Sequence, residues 1–149
     1  MVIANGWEDL RAKCFKRDQW TCCECGHQIA IAQVISKDTV KRLFNQATIK
    51  NLETYIHMYH GPEIIFIKEN PTSYEVTLPN NAELIGDHII PISIGGAQWD
   101  SHNIQTLCLE CNKTKTRYDA KIIAEYRRKE KGIKEKKDVK ELHKTLDRY

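Results

Sequence analysis

The stretch Asp87-His88-Ile89-Ile90-Pro91, followed by Gly95-Gly96, Asn103 and Cys108-Leu109-Glu110-Cys111-Asn112-Lys113-Thr114-Lys115, decides how the chain is read. It brings together a carboxylate of the kind that holds hard metal ions, an imidazole, two side-chain amides and a Cys-x-x-Cys pair. A second such pair, Cys22 and Cys25, lies far upstream. Each pair has the spacing to bite one tetrahedral ion through two sulfurs, and four thiolates leave no open position. The expected ion is therefore a structural Zn²⁺ on Cys22, Cys25, Cys108 and Cys111. It would close a long loop, whose closure entropy would otherwise favour the unfolded chain. Cys14 fits neither pair, and Cys23 could replace Cys22 only with altered spacing.

Working outward, Trp7, Leu10, Cys14 and Phe15 fall at helical spacing and predict a short helix over residues 6–18. Trp20 to Gly26 reads as a zinc knuckle, with Gly26 turning the chain back toward the metal. Residues 28–83 match no motif and read as an insertion, with target choice or a homodimer contact as its expected role. Within it, Val40, Leu43, Phe44 and Ala47 predict a helix with Asp38 as N-cap. Ile49, Leu52, Ile56 and Tyr59 predict a second helix, ended by His60-Gly61-Pro62. Glu63 to Lys68 and Ser73 to Leu78 predict a hairpin.

Leu84 to Ile90 and Asn103 to Leu107 read as two short strands. A helix is expected from about Glu110 to Lys131, with Gly132 as its C′ residue. Val139, Leu142 and Leu146 mark a separate final helix, and Lys134 to Lys137 a flexible joint. Because neighbouring strand residues point to opposite faces, Asp87 and His88 can share one site only at a strand end or bulge. Gly86 makes a bulge cheap.

Cutting a phosphodiester needs an activated water, neutralised transition-state charge and a stabilised leaving oxygen. A hard divalent cation on oxygen ligands serves the last two needs, and a neutral imidazole serves the first. Asp87 and Asn112 offer oxygen ligands, and His88 offers the base. The combined order of these residues resembles the HNH endonuclease family over about Arg11 to His27 and Leu84 to Arg117. The resemblance implies an α+β fold: a ββα-metal core over residues 84–131 with a four-cysteine zinc site. Residues 6–27 would form the N-terminal helix and knuckle, 28–83 the insertion and 132–149 a basic C-terminal helix, all in one domain.

By the same resemblance His88 is the general base, and Asp87 and Asn112 bind the catalytic ion. Asn103 braces the loop that carries the histidine. Lys115 matches a lysine common in the family motif. Beside Lys113 and Arg117 at a helix start, it is expected to meet phosphate. The family often has histidine where this chain has Asn112. The resulting all-oxygen set favours Mg²⁺ or Mn²⁺. The implied activity is hydrolysis of DNA, expected to be double-stranded, in a restriction, phage or mobile-element setting. A zinc-stabilised nucleic-acid-binding module without catalysis is the alternative, and a zinc-clamped protein-interaction domain a third.

Composition fits these readings. Of the 149 residues, 41% are hydrophobic and 29% charged, as in a globular domain. The formal net charge is only +3, yet residues 121–149 hold eleven Lys or Arg against six Asp or Glu. Arg11, Lys13, Lys16 and Arg17 form a second basic cluster, so both chain ends are expected to approach a polyanion. No stretch reaches the roughly 20 apolar residues of a membrane span. Met1 to Trp7 lacks a basic and an apolar region, so a cytoplasmic protein is expected, with metal rather than disulfides at its cysteines.

Overall fold

The computed structural model describes residues 6–146, omitting the side chains of residue 138 and of residues 141–146. Helix α1 (Gly6–Arg17) buries Cys14 and Phe15. The chain then turns through Gln19 and Trp20, both at φ 52°, into the knuckle. There Gly26, at φ 75°, allows a reversal that most side chains resist. The Gly26 N–H donates to Cys22 O and the Cys22 N–H to His27 O, both at 2.9 Å.

Residues 30–79 build a unit with a hydrophobic core of its own. Strand β1 (Ala30–Ser36) leads into helices α2 (Lys37–Phe44) and α3 (Ile49–Tyr59), then into strands β2 (Phe66–Glu69) and β3 (Ser73–Pro79). The antiparallel sheet has the order β1-β3-β2. Val40, Leu52, Ile56, Tyr74 and Val76 are fully buried in the core between helices and sheet. Two expectations change here. The N-cap of α2 is Ser36, whose hydroxyl accepts from the Asp38 N–H. The expected hairpin is the β2–β3 pair, but β3 is also the central strand of a three-stranded sheet. Its partner β1 pairs across some forty residues of sequence, a contact that no local turn signal announces.

The remaining core joins Phe15, Cys22, Ile29, Leu84 and Leu107. Strand β4 (Ile85–His88) pairs antiparallel with β5 (Ile104–Leu107), Asp87 opposite Gln105 and His88 opposite Ile104. The pairing is regular, so Gly86 makes no bulge. It is small for another reason: a Cβ there would lie 2.7 Å from the Arg11 side chain of α1.

Helix α4 (Leu109–Leu146) runs unbroken for 38 residues, about 57 Å at the usual rise. The expected stop at Gly132, the joint at 134–137 and the separate last helix are therefore corrected to one helix. Strong helix formers on both sides of Gly132 carry the helix through, at the cost of one glycine in its interior. The face expected of Leu142 and Leu146 lies outside the described side chains. No helix of the described residues is long and apolar enough to cross a membrane.

Nothing lies within 4 Å of a Cβ placed on Gly132. Gly132→Ala should therefore favour the helix by about 0.5–1 kcal/mol and raise far-UV helical ellipticity. Unchanged or reduced ellipticity would mean that the helix breaks there.

Candidate active site

The four paired cysteines meet. The sulfurs of Cys22, Cys25, Cys108 and Cys111 lie within 4.8 Å of one another, with Cys25 and Cys108 3.9 Å apart. Sulfurs around one tetrahedral zinc at about 2.3 Å would stand roughly 3.8 Å apart, so the group can hold a metal ion. Burial opposes a charge on Cys22, but backbone N–H groups of Cys25, Cys108 and Glu24 outweigh it and bring the thiol to about 6. Cys22 is thus disposed toward thiolate, the form that binds metal, whereas the Cys108 sulfur beside Cys111 pushes that thiol up. All six cysteines are free of disulfides. A further backbone bond, Cys23 N–H to Thr106 O at 2.9 Å, ties the knuckle to β5.

A charged cluster joins α1 to the same hairpin. Arg17 donates to Ser101 O and Ile104 O, each at 2.7 Å, and pairs with Asp18. Asp18 also accepts from the Thr106 hydroxyl at 2.8 Å. Arg17 is therefore committed to the fold and is withdrawn from the basic cluster expected to face a polyanion. Burial works against the Asp18 carboxylate, but the bonds from Arg17 and Thr106 outweigh it and hold its pKa below the ordinary value.

His88 is the last residue of β4. Its Nε2 lies 3.0 Å from Gln98 O. A carbonyl only accepts, so Nε2 carries the hydrogen, and in the neutral ring Nδ1 keeps its lone pair. The Trp7 ring of α1 stacks on the imidazole, with centroids 5.0 Å apart and planes at 21°.

The loop that supplies Gln98 is fixed by Asn103, which is 8% exposed. Its Oδ1 accepts from the Ile90 N–H at 2.9 Å, and its Nδ2 donates to Ile90 O at 3.0 Å and Ala97 O at 2.9 Å. Gly95 takes φ 99° within this loop. A Cβ on Gly96 would be driven into the Ile90 carbonyl oxygen, so the loop closes only over glycine.

Asp87 points the other way, toward α4. Its Oδ2 lies 2.7 Å from Lys115 Nζ, which in turn hydrogen-bonds Asp119 Oδ2 at 2.6 Å and His88 O at 2.9 Å. The Asp87 contact is ionic without hydrogen-bond geometry. Oδ2 is shielded from solvent and has no hydrogen-bond partner. Burial opposes the Lys115 charge, but the Asp119 and Asp87 carboxylates outweigh it and hold the ammonium above the ordinary lysine range. Asn112 precedes Lys115 by three residues and shares its face of α4. A buried carboxylate oxygen lacking a donor and an amide on the facing helix suit an oxygen-ligated cation, while the adjoining ammonium competes with it for Asp87.

Asp87 and His88 therefore lie on opposite faces of β4, as regular alternation requires, and come together only at the strand end. Lys115, expected at a phosphate, is instead held between carboxylates. Lys113 is exposed beside Glu110, and Arg117 is exposed. An open cleft of about 570 Å³ lies between the knuckle, β5 and α4, and Lys115 forms part of its wall. Sequence reasoning missed Trp7, Gln98 and Asp119 as neighbours of the site. Asp119 was within reach, because it follows Lys115 at i+4 on one helix face. The Gln98 carbonyl leaves no side-chain signal.

A two-stranded hairpin leading into a helix, with a four-cysteine group fixing their junction, defines an α+β protein built on a ββα unit. The HNH endonuclease family model matches residues 79–127, about a third of the chain, and this stretch is similar to that family. No curated protein and no solved structure matches the chain. The match points to a nuclease-type function with nucleic acid as the class of substrate.

The lowered Asp18 pKa has a definite sign in stability. The contribution is full above the unfolded value near pH 4 and fades as pH falls through the lower folded value. Asp18→Asn should therefore lose more thermal stability at pH 7 than at pH 2–3, measured by unfolding midpoints. An equal loss at both would mean that the carboxylate charge contributes nothing. Asn103→Ala strips the part-buried pairing from the Ile90 backbone and should cost about 1–3 kcal/mol in denaturant unfolding; a neutral outcome would show the loop to be held otherwise.

Proposed function

We propose that this protein is a metal-dependent endonuclease that hydrolyses phosphodiester bonds in DNA. The observation that carries the reading is the end of β4. There, consecutive residues present an imidazole set in one tautomer on one face and a buried carboxylate oxygen that lacks a hydrogen-bond donor on the other. His88 accepts the proton of the attacking water at Nδ1, while Gln98 O holds the Nε2 hydrogen and keeps the ring from rotating. Trp7 restricts the ring from its open face. Asn103 and Gly96 hold the loop that carries Gln98, so the orientation of the base is set before substrate arrives.

Asp87 and Asn112 would hold Mg²⁺ or Mn²⁺. When bound, the ion supplies charge neutralisation at the phosphorane-like transition state and at the departing oxygen. A phosphate lying across the strand end is reached by His88 from the α1 side and by Asp87 from the α4 side. Cys22, Cys25, Cys108 and Cys111 would hold Zn²⁺ as a structural ion, joining the knuckle to the start of α4. Exposed Lys113 and Arg117 are placed to meet the sugar–phosphate backbone.

One observation favours a second reading. The Lys115 ammonium already stands 2.7 Å from Asp87 Oδ2, where it competes with an ion, as in a zinc-stabilised nucleic-acid-binding module that needs no catalytic ion. Incubation of plasmid DNA with zinc-loaded protein and Mg²⁺ or Mn²⁺ separates the two. Cleavage is expected, and His88→Ala should lower its rate by roughly 10²-fold or more while zinc content and DNA affinity are kept. Salt-dependent DNA binding with no cleavage under any divalent ion would favour the module. Full activity of His88→Ala would remove the base assignment.

A further inference from the structure

We propose that Asp119 is a positioning residue for the divalent-cation site: it holds the Lys115 ammonium and leaves Asp87 free to coordinate the ion. The inference rests on the proposed role of Asp87 as a metal ligand.

The geometry around Nζ is unequal. Lys115 hydrogen-bonds Asp119 Oδ2 at 2.6 Å and His88 O at 2.9 Å. Toward Asp87 Oδ2, 2.7 Å away, it offers charge but no hydrogen bond. All three side chains are largely shielded, with 16% of Lys115, 23% of Asp87 and 17% of Asp119 exposed. In that setting charges interact more strongly than in water.

Two carboxylates share one ammonium, so the group has a formal charge of −1 while Lys115 stays protonated. A divalent cation is attracted to that excess. Without the Asp119 charge, Asp87 and Lys115 would form a neutral pair. The ammonium could then turn its hydrogens to Asp87, and an arriving cation would have to displace it. Lys115 also borders the open cleft beside α4, so its side chain has room to move when a second cation arrives. The bond to Asp119, one helical turn away, determines where it rests.

The test is Mn²⁺ affinity of the full, zinc-loaded chain, read from the electron paramagnetic resonance signal of free Mn²⁺. Asp119→Asn should weaken binding roughly tenfold, and adding Lys115→Gln should return it to within about threefold of the starting protein. Unchanged affinity in Asp119→Asn overturns the inference. So does a double variant as weak as the single one, since Asp119 would then act without Lys115. Zinc content and far-UV ellipticity check the fold, with Asp119→Ser as a second replacement should the asparagine variant fail to fold. Asp87→Ala should abolish binding whatever Asp119 does. If it does not, the assignment of Asp87 falls, and the role of Asp119 falls with it.

Discussion

The meeting of Cys22 and Cys25 with Cys108 and Cys111 is the constraint on which the rest of the structure depends. The two pairs are more than eighty residues apart in sequence, yet their sulfurs lie within 4.8 Å of one another. Neither pair has a large core beneath it: the surrounding cluster is five buried residues with a few partly buried neighbours. So small an apolar patch would leave the knuckle and the start of α4 weakly joined. A metal ion held by the four sulfurs would supply the join and fix where α4 begins relative to β5. Lys115, and Asp119 one turn further along α4, take their positions beside β4 from that starting point.

Within this frame the hairpin has opposite duties on its two faces. The α1 face carries Gly86 against Arg11, and His88 beneath Trp7. The α4 face carries Asp87 against Lys115. A regular strand can serve both only by giving adjacent residues to each, and this chain does so with Asp87 and His88. The loop between the strands is then held by one amide side chain and by a glycine that permits close backbone approach. Both act on Ile90, so the backbone at that residue is fixed from two directions.

How much of this was legible in the sequence depended on the kind of interaction. The cysteine pairs were legible because metal chemistry demands a fixed spacing, and the HNH order because several residue types had to recur in register. Helices α2 and α3 were legible from their apolar period. Strand β1 was missed because its partner lies far along the chain and no turn motif joins them. The single long α4 was misread because one glycine and a run of lysines look like a stop. In fact, the flanking residues are good helix formers, and no left-handed turn interrupts them. The ring of contacts around Lys115 was legible only in part: helical spacing places Asp119 beside it, but which carboxylate takes the hydrogen bond depends on how α4 is set against β4.

The unit spanning residues 30–79 starts and finishes at the same place. Its first and last residues, Ala30 and Pro79, are register partners in the sheet, and just outside them the Asn80 N–H donates to Ile29 O at 3.0 Å. A segment that leaves and re-enters through one doorway imposes almost no geometric debt on its host. Its outline, length or surface could change widely while the host saw the same two anchor points. A short turn bridging Ile29 to Asn80 is, in that sense, already drawn in the backbone.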